Sequence, residues 1–277
     1  MELTLTIGLS LGAAAVACEF IDSSLGMLYG TILSPVLIIC GFDPLVVVPA
    51  ILFSQAAGGI TASILHQRLN NSDFSLNMDG AAANGVGAAF SAGATQDLKV
   101  VSIITVFGVF ASVFAAAIAV SVPKPLLKTY IGLIVAAMGA LIISGRTFKF
   151  SWKKMFGIGL LSAFNKGISG GGFGPVVTAG QVVCGRDAKN SIGATTLSEA
   201  PICLAAFAAY SLSGKISWEL VLILTAGSVA GALAGPFFTA GFQSRDKLKL
   251  VLGYLTLGLG LFILLNTWLL NLKGVSA

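Results

Sequence analysis

Asn165-Lys166-Gly167-Ile168-Ser169-Gly170-Gly171-Gly172-Phe173-Gly174-Pro175 is the stretch on which the reading of this chain turns. Apolar sequence flanks it on both sides, yet it carries five glycines, a lysine and a proline. Glycine and proline weaken a helix and free its backbone groups. Non-helical backbone at membrane depth is tolerated only where it is buried in protein or lines a watery cavity. A lysine at that depth needs a partner or an anionic ligand. The stretch therefore reads as the floor of a substrate site.

The composition agrees with a membrane setting. Hydrophobic residues make up 56% of the chain and charged residues 10%, against roughly 25% charged in soluble domains; the mean hydropathy is +0.95. Apolar runs of about 15 to 25 residues recur from end to end, as transmembrane helices require. The first run, Leu3 to Phe20, lacks a basic n-region and is read as a retained helix rather than a signal peptide. The net charge of +5 lies in short connecting loops and does not suggest nucleic acid. Cys18, Cys40, Cys184 and Cys203 show no metal-ligand spacing, and His66 is the one histidine, so neither a metal nor a cofactor is expected.

A shift of 144 residues lays Phe20-Ile21-Asp22 on Phe164-Asn165-Lys166, Gly26 and Gly30 on Gly170 and Gly174, and Ser54-Gln55-Ala56 on Ser198-Glu199-Ala200. Cys40-Gly41-Phe42-Asp43 and Cys184-Gly185-Arg186-Asp187 fall in the same register. The expected fold is an all-α polytopic membrane protein of two tandem repeats, each of about five helical segments. The first repeat covers 1–145 with a polar insertion at about 67–98; a basic linker follows at 146–154, and the second repeat covers 155–277. An odd number of elements per repeat inverts the second against the first, with broken helices at the glycine-rich stretches. The first span is expected to break at Asp22-Ser23-Ser24, Gly26–Cys40 to be half-length or kinked, and residues 80–95 to be interfacial or re-entrant. The placement of lysine and arginine puts the 146–154 linker in the cytoplasm and both termini outside.

The polar residues inside apolar spans are the candidate site. Asp22 corresponds to Lys166, and the two would either form an ion pair or leave Lys166 to draw in an anion. Ser23, Ser24, Gly26, Asn165, Ser169, Gly170, Gly171 and Gly172 would complete that anion's shell, with helix N-termini near Gly26 and Gly170 pointing their N–H groups at it. Gln55 and Glu199 form a second equivalent pair, flanked by Ser54 and Ser198. An ionised carboxylate in an apolar span is costly, which suits Glu199 to carrying a proton; the alternative is a hydrogen-bonded carboxyl with no coupling role. No P-loop and no nucleophile–base pair stands out, so an enzyme is not expected.

A helix running into the glycine-rich break from Gly167 to Pro175, its counterpart Ser23–Gly30, and Ser54 and Ser198 in the helices that follow together resemble the sulfite exporter TauE/SafE family. The resemblance covers nearly the whole chain, with Ser24-Leu25-Gly26 standing where the family has a glycine triplet. It implies export or uptake of sulfite, sulfonates or related organosulfur anions across the cell inner membrane, without an ATPase. The implied partners are a small anionic substrate, a coupling proton or ion and the lipid bilayer, with room for a homo-oligomer. A passive anion channel, a cation-coupled carrier and a membrane scaffold or sensor remain open at this point.

Overall fold

The structure, a computed structural model, describes residues 5–76, 90, 93–118, 124–146, 148–212, 216–242 and 244–274. Ten α-helices account for nearly all of them: α1 (Leu5–Leu25), α2 (Tyr29–Ile39), α3 (Pro44–Arg68), α4 (Gln96–Ile118), α5 (Lys124–Ile143), α6 (Trp152–Ser169), α7 (Phe173–Val183), α8 (Ala188–Ser211), α9 (Trp218–Gly241) and α10 (Arg245–Gly274). Six of these, α1, α3, α4, α8, α9 and α10, are long and apolar enough to cross a membrane. At about 1.5 Å per residue such helices exceed the roughly 30 Å of bilayer hydrocarbon. The chain is a multi-pass membrane protein. By the same measure α2 and α7, of 11 residues each, reach only about half way.

Small residues decide which helices touch. Gly227, Gly231 and Gly235 of α9 lie against Gly12, Val16 and Ser23 of α1, so the two helices run parallel. Gly108 of α4 meets Ala163 of α6, while Gly159 and Gly167 of α6 meet Ile104 and Ser112 of α4, again in parallel. Two other close pairs, α5 with α10 and α3 with α8, are antiparallel. Gly139 of α5 lies on Leu257 and Gly260 of α10 on Ala136, and Val48, Leu52 and Ala56 of α3 share a buried cluster with Cys203, Ala206 and Tyr210 of α8. Close backbone approach through glycine and alanine is how helices associate where the surroundings are as apolar as the side chains. Bulky residues such as Leu9, Phe110, Phe114, Phe237 and Leu265 point outward instead.

The turns into α3 and α8 are built alike. Gly41 and Gly185 take φ of 94° and 84°. Asp43 then accepts the N–H of Leu45 at 2.9 Å, and Asp187 that of Lys189 at 3.0 Å, each capping its helix.

Two boundaries differ from the sequence reading. The first helix does not break at Asp22-Ser23-Ser24 but continues to Leu25. The hydroxyls of Ser23 and Ser24 bond back to the carbonyls of Glu19 and Phe20, so the helix absorbs its own polar groups. Lys166 likewise stands in the last turn of α6 rather than in the break, which begins at Gly170. The expectation for residues 80–95 falls mostly outside the described residues.

Candidate functional site

The two breaks cross each other at the centre of the bundle. Gly26 and Gly170 both take the left-handed conformation, at φ 72° and 71°. Each ends its helix through its own N–H, bonded to the carbonyl of Asp22 at 2.6 Å and of Lys166 at 2.8 Å. A side chain on Gly30 would run into the carbonyl of Gly170, and one on Gly174 into the carbonyl of Gly26. The backbones are in contact, and only glycine permits it.

Backbone groups freed by one break are taken up by the short helix after the other. Thr31 accepts the N–H of Gly172 at 3.2 Å, Ser34 donates to the carbonyl of Ser169 at 3.0 Å, and Thr178 donates to the carbonyl of Gly26 at 2.8 Å. This satisfies the rule that backbone without helical bonds must be paired when water is absent. Leu28, at φ 138°, stands where the second break has Gly172, at 77°. A non-glycine residue held there stores strain of about 1–3 kcal/mol.

Beside the crossing, four helices contribute one continuous polar chain. Lys166 Nζ of α6 lies 2.9 Å from Glu199 Oε1 of α8 and also donates to Gln55 Oε1 of α3. Gln55 Nε2 donates to Asp22 Oδ2 of α1 at 3.2 Å. Asp22 Oδ1 accepts the N–H of Tyr29 at 3.0 Å, which places this carboxylate at the N-terminus of α2, the positive end of its dipole. Lys166 is 1% exposed, so its charge cannot be left to solvent. Removing two charges from water costs several kcal/mol per ion, and only close pairing and hydrogen bonding offset it. The amide of Gln55 serves both ends: its oxygen faces the ammonium and its nitrogen faces the carboxylate.

The sequence-derived candidates thus divide. Asp22, Gln55, Lys166 and Glu199 come together, but Lys166 takes Glu199 as its carboxylate partner, with Gln55 interposed between it and Asp22. The proposed Asp22–Lys166 ion pair is replaced because Asp22 is held at the start of α2. That N-terminus does not await an anion in this structure, since Asp22 occupies it. Ser54 joins the centre through the hydroxyl of Tyr29 at 2.8 Å. Ser198 bonds to its own helix at the carbonyl of Thr195, as Ser23, Ser24 and Ser169 do to theirs. Gly170, Gly171 and Gly172 form the crossing itself. Asn165 is fully buried, and neither polar atom of its side chain has a hydrogen-bond partner among the described residues.

Sequence reasoning passed over Glu19, one turn before Asp22. It is 1% exposed and accepts from Ser228 Oγ of α9 at 3.0 Å. An acidic residue deep in the first span was its signal; it escaped because the repeat register lays it on Ala163. His66, the one histidine, is buried in the last turn of α3, with Nε2 on the carbonyl of Ser23 at 2.9 Å and Nδ1 on Asn71 Nδ2 at 3.1 Å.

A second polar knot lies toward the end of the bundle where α4, α7 and α8 meet. Arg186 pairs with Asp97 and donates to Gln181, while Asp97 also accepts from Asn190 at 2.6 Å and from the N–H of Asp73 at 2.9 Å. Gln181 continues the knot to Thr195 at 3.0 Å, and Thr178 connects Thr195 to Gly26.

Among the described residues no group of histidine, cysteine, aspartate or glutamate is arranged to hold a metal ion. Comparison with known proteins gives a family and one relative. The model of the family described as "Sulfite exporter TauE/SafE" matches residues 11–263. A Bacillus subtilis (strain 168) protein described as "Probable membrane transporter protein YtnM" is 22% identical over 270 residues, covering 91% of this chain and 81% of its own length. No solved structure matches.

Proposed function

The chain belongs to the sulfite exporter TauE/SafE family of membrane transporters, not to an enzyme family, and on that premise we propose a secondary carrier of small anions. Its substrates are sulfite, sulfonates or related organosulfur anions, moved across the cytoplasmic membrane by alternating access. The observation that carries this reading is Lys166, the one fully buried lysine among the described residues, beside the crossing of two interrupted helices. In the absence of substrate Glu199 neutralises it; an incoming oxyanion takes over the ammonium and the Gln55 amide, and Glu199 is released.

Two inverted repeats, 1–145 and 155–277 joined by the 146–154 linker, provide the two rocking elements. What supports this is that exchanging α1–α5 with α6–α10 carries the parallel pair α1·α9 onto α6·α4, and α3·α9 onto α8·α4, while α3·α8 and α5·α10 map onto themselves. The hydrogen bond from Gly26 N to Asp22 O likewise maps onto that from Gly170 N to Lys166 O. Repeats meeting at broken helices with the ligand at the midplane are a common carrier design.

A second reading has one observation in its favour. Three buried carboxyls, Glu19, Asp22 and Glu199, surround one buried ammonium, an excess that suits a cation carrier. The two readings part on Lys166→Ala, tested by binding of sulfite, sulfate, sulfoacetate, taurine and chloride to purified protein. Selective binding of a sulfur oxyanion by the wild type and its loss in the variant is the expected result. Anion binding that survives the substitution refutes the anion site at Lys166.

A further inference from the structure

We propose that Glu19 is the seat of a transport-coupled proton, adjacent to the anion site but separate from it. The coupling rests on the anion-carrier reading above; the protonation of Glu19 does not.

The three buried carboxyls are not equally provided for. Glu199 has the Lys166 ammonium at 2.9 Å. Asp22 has no cation but has the N-terminus of α2 on one oxygen and the Gln55 amide on the other. Glu19 has a single hydroxyl, Ser228, on Oε2, and its Oε1 is buried with no hydrogen-bond partner among the described residues. An ionised carboxylate in that state keeps the full cost of desolvation on one oxygen, whereas the neutral acid carries much less. Its surroundings are also unsuited to a metal cation. The carboxyl packs against Gly58 of α3, with Oε1 2.9 Å from the point a Gly58 side chain would occupy, and the base of the side chain packs against Gly231 of α9. A metal ion would need several further oxygens there; a proton needs only the carboxyl.

Position makes the seat consequential. The titratable groups around Glu19 are Cys18 and Asp22 on its own helix, Tyr29 at the start of α2, Lys166 on α6, and Glu199 and Cys203 on α8. With Glu19 and Asp22 both ionised, the centre carries two negative charges beyond what Lys166 balances, and an anionic substrate is repelled. A proton on Glu19 removes one of them and favours the anion's entry. Entry of a second negative charge in turn favours the proton, since linkage between two ligands is reciprocal. His66, otherwise the natural proton carrier, is excluded by its bonds. Nε2 faces a carbonyl and must donate, while Nδ1 faces the Asn71 amide, whose orientation is fixed by its donation to the carbonyl of Pro236 at 2.9 Å. The ring is neutral with both nitrogens engaged.

The test has a substrate-free arm and a transport arm. In infrared difference spectra of the purified protein between acid and alkaline buffer, the wild type should show the carbonyl stretch of a buried protonated carboxyl, and Glu19→Gln should lack it. Ser228→Ala, which removes the hydrogen bond on Oε2 without altering charge, should shift the band's frequency and serves if Glu19→Gln does not fold. In proteoliposomes carrying a trapped pH dye, sulfite-evoked proton movement should fall to background in Glu19→Gln. A band that persists unaltered in the variants, or undiminished sulfite-evoked proton movement in Glu19→Gln, overturns the proposal. A wild type that shows the band but no sulfite-evoked flux refutes the carrier reading, and with it the coupling, while leaving the protonated Glu19 established.

Discussion

Replacing Lys166 and Glu199 together should do far less damage than replacing either alone, and the difference separates the lysine's structural role from its binding role. In Lys166→Met the Glu199 carboxylate loses its partner at 2.9 Å, and Gln55 Oε1 loses its donor. Breaking a buried pair from one side costs about 3–5 kcal/mol, and a buried acceptor left unpaired adds about 1–3 kcal/mol. Glu199→Leu leaves an ammonium at 1% exposure and costs the same about 3–5 kcal/mol for the pair. In Lys166→Met/Glu199→Leu no orphaned charge remains at this pair, and only the Gln55 carbonyl is unpaired, so the loss should shrink to about 1–3 kcal/mol. The coupling energy between the two sites should therefore exceed about 3 kcal/mol, near the upper end for residues in direct contact. Unfolding in mixed detergent micelles, followed by tryptophan fluorescence, measures all four corners of the cycle. A sulfite-binding measurement runs beside it: the double variant should be stable and yet bind no anion. Losses that simply add would show that the pair does not interact as the geometry states. Anion binding retained by the stable double variant would remove Lys166 from the substrate site.

Other consequences can be checked singly. Gly30→Ala puts a methyl into the carbonyl of Gly170 and should abolish the monodisperse folded species on size exclusion. Gly157→Ala, where a methyl meets nothing within 4 Å, should be neutral or stabilising by up to about 1 kcal/mol. Asp97→Ala strands the buried Arg186 guanidinium and should cost about 3–5 kcal/mol, much of it recovered in Asp97→Ala/Arg186→Leu, as read by thermal unfolding. Cys40 is exposed, whereas Cys184 and Cys203 are buried, so a maleimide should modify Cys40 and spare the other two. On the proposed inverted topology, with the basic linker 146–154 in the cytoplasm, a membrane-impermeant maleimide should reach Cys40 on intact cells. Labelling only after permeabilisation would reverse the orientation.

Much of the architecture was legible because membrane helices announce themselves by composition. The glycine-rich breaks were legible too, since nothing else explains a run such as Gly170-Gly171-Gly172 between apolar segments. Boundaries one turn either way were not: Asp22, Ser23 and Ser24 look like helix breakers, yet serine hydroxyls that bond to their own helix are tolerated within it. The residues of the central chain, Asp22, Gln55, Lys166 and Glu199, could be picked out as polar groups in apolar spans. Their partners could not, because which side chain meets which depends on the rotation of four helices about their axes. Asp22 was matched to Lys166 by the repeat register, but equivalence in a repeat is a statement of symmetry, not of contact. Glu19 shows the converse failure. Reading by equivalent pairs hides a residue whose counterpart is alanine.

The parallel pairing of α1 with α9 has a consequence for how the chain is made. α1 leaves the ribosome well before α9 and finds this companion only when Trp218 and the residues after it have been synthesised. Until then Glu19 has no Ser228, and before Gln55 is made Asp22 lacks its amide as well, so the nascent α1 must enter lipid or a protein-lined chamber with two unescorted acids. The buried centre is completed late, when Glu199 and then Ser228 arrive. A stalled chain ending before α9 is therefore the species that an insertion chaperone would hold and a membrane quality-control protease would recognise.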